Sequence, residues 1–253
     1  YENLQSPPPR DAESRERMLR KVDGVTQLAQ QCGQVYFPGL WIGANTAGDD
    51  AELTEQAAYC REFARRYREV PGLIYYVNGD LRCELSDAVS PHWNRFLQDR
   101  YGTAGLLAEA WGVASADAAL GSLRIEEYSD SNQPWGDVRI YDQNRFRSWL
   151  VERWCTILAD ALREEDPGHL TTAEFYQLPH QGVDLPAAIG TLDLANFGFF
   201  EKRGADLARF PLLCKYNDQR WRGKSTGPGE YGVKVHPAWG DGADYGYHTA
   251  RTR

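Results

Sequence analysis

The sequence predicts an α/β fold with a parallel sheet, and three observations carry that expectation. Amphipathic helical stretches alternate with short apolar runs. Each apolar run closes on a turn rich in glycine, asparagine or aspartate. The length, 253 residues, is close to the ~250 typical of one α/β barrel.

The elements follow in order. Residues 1–12 are polar and proline-rich and read as a loop. Over residues 12–32, Met18, Leu19, Val22, Val25, Leu28 and Ala29 recur at helical spacing with charges opposite, and Gly33 supplies the stop. Residues 35–42 read as a buried strand, followed by a Gly/Asn/Asp loop over 43–50. A second helix over 51–69 is broken by Pro71. Leu73-Ile74-Tyr75-Tyr76-Val77 is a second strand that ends in Asn78-Gly79-Asp80.

Residues 81–142 read as a long insertion. Two helical pieces, around 91–101 and 104–111, lead into an irregular stretch of Asp, Ser, Asn, Pro and Trp. Connections of this length usually carry function or move. A strong helix over 143–165 bears Phe146, Trp149, Leu150, Trp154, Ile157, Leu158 and Leu162, and Asp166-Pro167-Gly168 ends it. Third and fourth strands are expected over 170–175 and 192–197, then a short helix over 206–220 and a strand into Glu230. A closed parallel barrel needs eight strands, and five are legible. The expectation is therefore one partial (β/α)8 TIM-barrel domain over 1–253, with the first strands and the last strand absent.

Composition bounds the function. The net charge of -8 and the pI near 5.2 argue against a nucleic-acid partner, whose phosphates favour basic surfaces. No apolar run approaches the ~18 residues of a membrane span. The five cysteines are odd in number and form no Cys-x-x-Cys pair. That disfavours a disulfide framework or a cysteine zinc site and favours a reducing, cytoplasmic setting. The five histidines lie far apart without metal spacing, so neither a metal nor another cofactor is expected. Eight Trp and fourteen Tyr suit core packing, and their faces also suit stacking on sugars. The sequence is compatible with a homo-oligomer.

The stretch that carries most chemistry is Gly227-Pro228-Gly229-Glu230-Tyr231-Gly232, preceded by Trp221-Arg222-Gly223-Lys224-Ser225-Thr226. It places a carboxylate at a glycine-rich strand end, where backbone and ligand approach closely. A solvated surface Glu is the plainer reading. With Phe63 through Asn78, this stretch resembles the clan A glycoside hydrolases, a (β/α)8-barrel group of β-galactosidases, cellulases and mannanases. The first segment is similar to the entry into that clan's fourth strand, which usually ends in Asn-Glu. The second is similar to its seventh strand, which ends in the nucleophilic Glu. Phe96 through Thr103, Leu107 and Ala110-Trp111-Gly112 resemble the segment after the acid/base in family 42 β-galactosidases, and a family 5-like relative is the other near match.

The resemblance implies a retaining hydrolase of β-linked sugars, β-galactosides first, working by double displacement. Such chemistry needs two carboxylates about 5–5.5 Å apart, one ionised to attack the anomeric carbon and one protonated to release the leaving oxygen. Glu230 takes the nucleophile's place and Asp80 the general acid/base's. Asn-Gly-Asp is equally ordinary turn chemistry. The clan's acid/base position itself holds Gly79, so Glu84 and Glu174 stand as the other acid candidates, and a chain with no acid at all is the fourth reading. Asn78 would hydrogen-bond the sugar 2-hydroxyl. Glu174, Trp239, His236 and Asn45 are candidate substrate contacts, with loop packing the plainer role for His236 and core packing for Trp41. The clan's His or Tyr near the sixth strand end has no counterpart in Asn196-Phe197-Gly198-Phe199-Phe200. The expected partner is a glycoside or saccharide. The rival functions are a non-catalytic carbohydrate-binding barrel that has lost its acid, and a structural barrel inside a larger protein.

Overall fold

The structure is a computed structural model, and it describes residues 2–3, 8–79, 81–114, 118–128, 136–176, 183–184, 186–200 and 206–232. Its strands are β1 (Glu2–Asn3), β2 (Pro38–Gly39), β3 (Ile74–Tyr76), β4 (Leu170–Tyr176), β5 (Leu194–Phe200) and β6 (Ser225–Gly232). They form one sheet in sequence order, with every neighbouring pair parallel. Helices α1 (Ala12–Gln31), α2 (Asp50–Tyr67), α3 (Ser90–Tyr101), α4 (Ala104–Trp111), α5 (Val138–Glu165) and α6 (Phe210–Arg220) lie between them. Consecutive parallel order with helical crossovers is the arrangement of a (β/α)8 barrel. Six of its strands fall among the described residues.

The helices begin where side chains satisfy their free amides. Asp11 accepts from Ser14 N–H at 2.8 Å, Asp49 from Glu52 N–H at 2.8 Å and Asp137 from Arg139 N–H at 2.8 Å. The expected helix over 143–165 thus starts five residues earlier, at Val138, because Asp137 caps it there. α2 packs on α5. Trp154 Nε1 donates to Gln56 Oε1 at 2.7 Å across that seam, and Arg61–Glu164 and Arg65–Glu165 pair along its rim at 2.5 and 2.9 Å. α3 and α4 are tied to α5 through the buried Asp142, which accepts from Tyr101 Oη at 2.6 Å and Trp111 Nε1 at 2.8 Å and pairs with Arg100 at 2.9 Å.

The sheet has two unlike faces, as the strand period of two requires. Tyr75, Ala173, Phe175 and Ala195 join the main core with Phe63, Phe146 and Trp154 from the helices. Phe197 and Phe199 pack separately with Leu213 and Phe210 of α6. Tyr76, Glu174 and Asn196 alternate with these residues and lie on the other face of the sheet.

Three expectations are corrected. Residues 1–12 are not all loop, since β1 pairs with β2 there. The strand expected over 35–42 is regular only at Pro38–Gly39. It still runs beside β3, because Tyr36 N–H bonds Gly72 O at 2.8 Å and Leu40 N–H bonds Tyr76 O at 2.9 Å. β5 starts two residues later than expected, because Leu192 is buried in the turn and the Asp193 carboxylate accepts Thr171 N–H at 2.8 Å. The five cysteines are unpaired, and burial pushes the thiols of Cys60, Cys83 and Cys155 up to about 12. No helix among the described residues is long and apolar enough to cross a membrane.

Candidate active site

Strand ends at the C-terminal edge of a parallel barrel converge on one rim, so residues far apart in sequence meet there. β3 runs out through Val77 to Asn78. Asn78 is fully buried; its Nδ2 donates to Ala44 O at 3.3 Å, and its Oδ1 is buried without a hydrogen-bond partner among the described residues. A buried amide oxygen left open is the kind of group that a ligand hydroxyl satisfies. The next strand is tied to it directly, because Glu174 N–H donates to Asn78 O at 2.8 Å.

Glu174, near the end of β4, is 5% exposed. Tyr76 Oη donates to its Oε2 at 3.0 Å. In register it faces Asn196 of β5, itself 7% exposed. β6 comes close for a reason written in its sequence. The β5–β6 register shifts at Phe197/Gly198, where Phe197 pairs with Pro228 and Gly198 with Glu230, so Gly229 is an extra, bulged residue. A Cβ on Gly229 would lie 2.4 Å from Glu174 Oε2 and 2.7 Å from Asn196 Cβ. Only glycine lets the β6 backbone pass over this carboxylate. Tyr76, Asn196 and Gly229 line a cavity of about 120 Å³ together with Phe37 and Pro228.

The structure therefore brings Asn78 and Glu174 together at one rim, with the backbone of Glu230 one residue beyond Gly229 on β6. Asn45 sits on the same side but is occupied as a clamp. Its Nδ2 donates to Glu84 O at 2.9 Å, and its Oδ1 accepts Glu84 N–H at 2.9 Å and Ala47 N–H at 3.1 Å. Glu84 is exposed. Trp41 is buried, with its Nε1 on Cys60 Sγ at 3.5 Å and its ring edge-on to Tyr59. Asp80, His236 and Trp239 lie outside the described residues. No group of three His, Cys, Asp or Glu among the described residues is placed to hold a metal ion.

Tyr76 is the site residue that sequence reasoning missed. It was legible only as part of an apolar strand, yet the alternation Tyr75-Tyr76 sends one ring toward the helices and the other toward Glu174. Gly79 is explained by the same ring. A Cβ there would lie 2.7 Å from Tyr76 Oη and 3.2 Å from Ile42 Cδ1.

Comparison with known proteins bears on the family and the fold. The profile of the glycoside hydrolase family 42, described as β-galactosidase, matches residues 52–214, well over half of the chain. A β-galactosidase of Arthrobacter sp is 29% identical over 117 residues, covering 44% of this chain and 17% of that protein. The solved β-galactosidase from Bacillus circulans sp. alkalophilus superposes with a TM-score of 0.55 at 16% identity, over 68% of this chain and 26% of that one. A catalytic mutant of Gan42B, a GH42 β-galactosidase from G. stearothermophilus, superposes with a TM-score of 0.57 at 17% identity, over 75% of this chain and 34% of that one. This chain thus spans between about a sixth and a third of these relatives' lengths, and the two structural likenesses are likenesses of fold. With its profile match across the α2–α6 region and its barrel strands in order, the chain belongs to glycoside hydrolase family 42, the β-galactosidase family.

Proposed function

We propose that the protein is a retaining glycoside hydrolase acting on β-linked sugars, β-galactosides or a related glycoside. The observation that carries the reading is the convergence of Asn78, Glu174 and the β6 strand bearing Glu230 on one rim. Membership of family 42 supports the same class of substrate. In this reading Glu230 attacks the anomeric carbon, and a second carboxylate delivers a proton to the leaving oxygen and later activates water. Asp80, Glu84 and Glu174 are the candidates for that carboxylate. Asn78 holds the sugar 2-hydroxyl with its open Oδ1, and Trp239 and His236, a few residues beyond Glu230, contact the sugar.

A second reading is favoured by one observation. Gly79 stands where the family's acid/base would be, so a barrel that binds sugar without cleaving it is the alternative. The test is hydrolysis of a panel of aryl β-glycosides by the full-length protein, wild type against Glu230→Ala. The hydrolase reading expects activity that Glu230→Ala lowers by 10³-fold or more, on the order of the loss of a nucleophile that acts with its partners as a unit. A wild type that binds sugars and cleaves none of the panel overturns it in favour of the binding barrel.

A further inference from the structure

We propose that Glu174, on the strand after the family's usual position, is the proton donor of this enzyme, and that Tyr76 holds it in place. The inference rests on the hydrolase reading above and assigns its second carboxylate. Three observations point to it. Position 79 is closed to any side chain that leaves Tyr76 where it is, because its Cβ would fall 2.7 Å from Tyr76 Oη. Tyr76 is in turn committed to Glu174 Oε2 at 3.0 Å. A side chain at 79 would require the Tyr76 ring to shift from the position in which it holds Glu174. The third observation is Gly229. The backbone next to Glu230 is pared to a glycine where it passes Glu174, and a methyl there would meet Oε2 at 2.4 Å. This brings the β4 carboxylate against the segment that bears the nucleophile. Glu84 offers no such placement. Its side chain is exposed and its backbone is clamped by Asn45.

The chemistry balances with these two carboxyls and water. In the first step the Glu230 carboxylate forms a bond to the anomeric carbon, the bond from that carbon to the leaving oxygen breaks, and the Glu174 proton passes to that oxygen, so a neutral alcohol departs. In the second, water attacks the same carbon, its proton passes to the Glu174 carboxylate, and the ester bond to Glu230 breaks. Both groups return to their starting states.

The test uses the full-length protein and two substrates, a 2,4-dinitrophenyl and an unactivated alkyl β-galactoside. Glu174→Gln keeps the shape and an acceptor for Tyr76 but carries no acidic proton. We expect kcat/KM on the alkyl glycoside to fall about 10³-fold, within the usual range for a lost general acid. On the activated substrate, whose leaving group needs no proton, kcat/KM should fall far less, while its kcat falls because the second step has lost its base. Azide with Glu174→Ala should restore turnover and give β-galactosyl azide. An Asp80→Asn variant should show no such leaving-group dependence. If Asp80→Asn shows it and Glu174→Gln does not, the assignment is overturned while the hydrolase reading stands. If wild type cleaves neither substrate, the hydrolase reading itself fails. Should the Glu174 variants fail to fold by circular dichroism, labelling decides on the wild type. N-bromoacetyl-β-galactosylamine should alkylate the peptide bearing Glu174, and alkylation at Asp80 instead would overturn the proposal.

Discussion

A methyl group is enough to test the rim at residue scale. Gly229→Ala places a carbon 2.4 Å from Glu174 Oε2 and 2.7 Å from Asn196 Cβ, against a β5 neighbour that cannot yield far. Overpacking of this kind costs about 1–3 kcal/mol, and a catalytic group displaced by about 1 Å loses on the order of 10²-fold in rate. We expect Gly229→Ala to fold, to melt a few degrees lower, and to lose kcat by 10-fold or more; unchanged kinetics would mean the carboxylate is not part of the reaction. Gly79→Ala acts at the other end of the same pair, through Tyr76 Oη at 2.7 Å, and should lower kcat in parallel with Tyr76→Phe. The sequence alone offered Asn78 and Glu174 as candidates because both stand towards the polar ends of apolar runs. It did not show Tyr76, because a tyrosine inside Ile74-Tyr75-Tyr76-Val77 reads as core until the neighbouring strands say which face is which. Nor did it show what Gly229 is for. A glycine marks permission for a close approach, and only the β5–β6 register names Glu174 as the group approached.

At the scale of elements, the helices were legible and the strands were legible only where they carry apolar residues. α1, α2, α3, α4 and α5 have periodic buried faces, with Leu19 and Val22, Phe63 and Tyr67, Trp93 and Leu97, Leu107 and Trp111, Leu150 and Trp154 as anchors. β1 was not legible, because Glu2-Asn3 has no apolar pattern and its pairing with Pro38–Gly39 is a backbone matter. The ends of β2 and β5 were set by turns, through Gly43 N–H on Gly79 O at 2.9 Å and Asp193 on Thr171. Asp142 of α5 holds α3 and α4 through three partners. Removing Asp142 leaves the donors of Tyr101 and Trp111 without a partner and Arg100 without its counter-charge. Asp142→Ala should cost about 3 kcal/mol, as for a broken buried pair. Hydrogen exchange should rise over α3 and α4 before it rises in β3–β5, since elements tied by few contacts open first. Exchange rising equally across the sheet would show that Asp142 supports the whole barrel. Trp154→Ala is the contrasting case. It empties the α2–α5 seam and removes the partner of Gln56, and should cost about 3–5 kcal/mol with protection lost globally.

At the scale of the whole molecule, carboxylates that hold strands and helices together make the fold sensitive to acid. Asp166 links the lower ends of β3 and β4. Tyr75 Oη donates to its Oδ2 at 2.5 Å, His169 Nδ1 lies 2.5 Å from the same oxygen, and Gly168 N–H donates to Oδ1 at 3.0 Å. Burial pushes its carboxyl up, but the bonds from Tyr75, His169 and Gly168 outweigh burial and hold it below its usual value. Burial is likewise outweighed at Asp23 by Arg66 and Tyr67, and at Asp193 by Thr171 and Arg163. A carboxyl whose pKa is lower folded than unfolded stabilises the fold fully above the unfolded value, about 3.9 for aspartate, and loses that contribution as pH falls through the folded value. Stability should therefore hold from pH 7 to about 5 and decline below about 4, where the unfolded chain binds protons that the folded one refuses. Asp166→Asn separates this from a general charge effect. The variant should be about 1–3 kcal/mol less stable at pH 7, the cost of a weakened buried hydrogen-bonded group, and the gap should close as pH falls below about 4, where the unfolded wild-type chain takes up a proton that the folded one refuses. Urea unfolding followed by tryptophan fluorescence across that range measures both curves. A gap that stays constant with pH would assign the loss to packing around residue 166 and not to its charge.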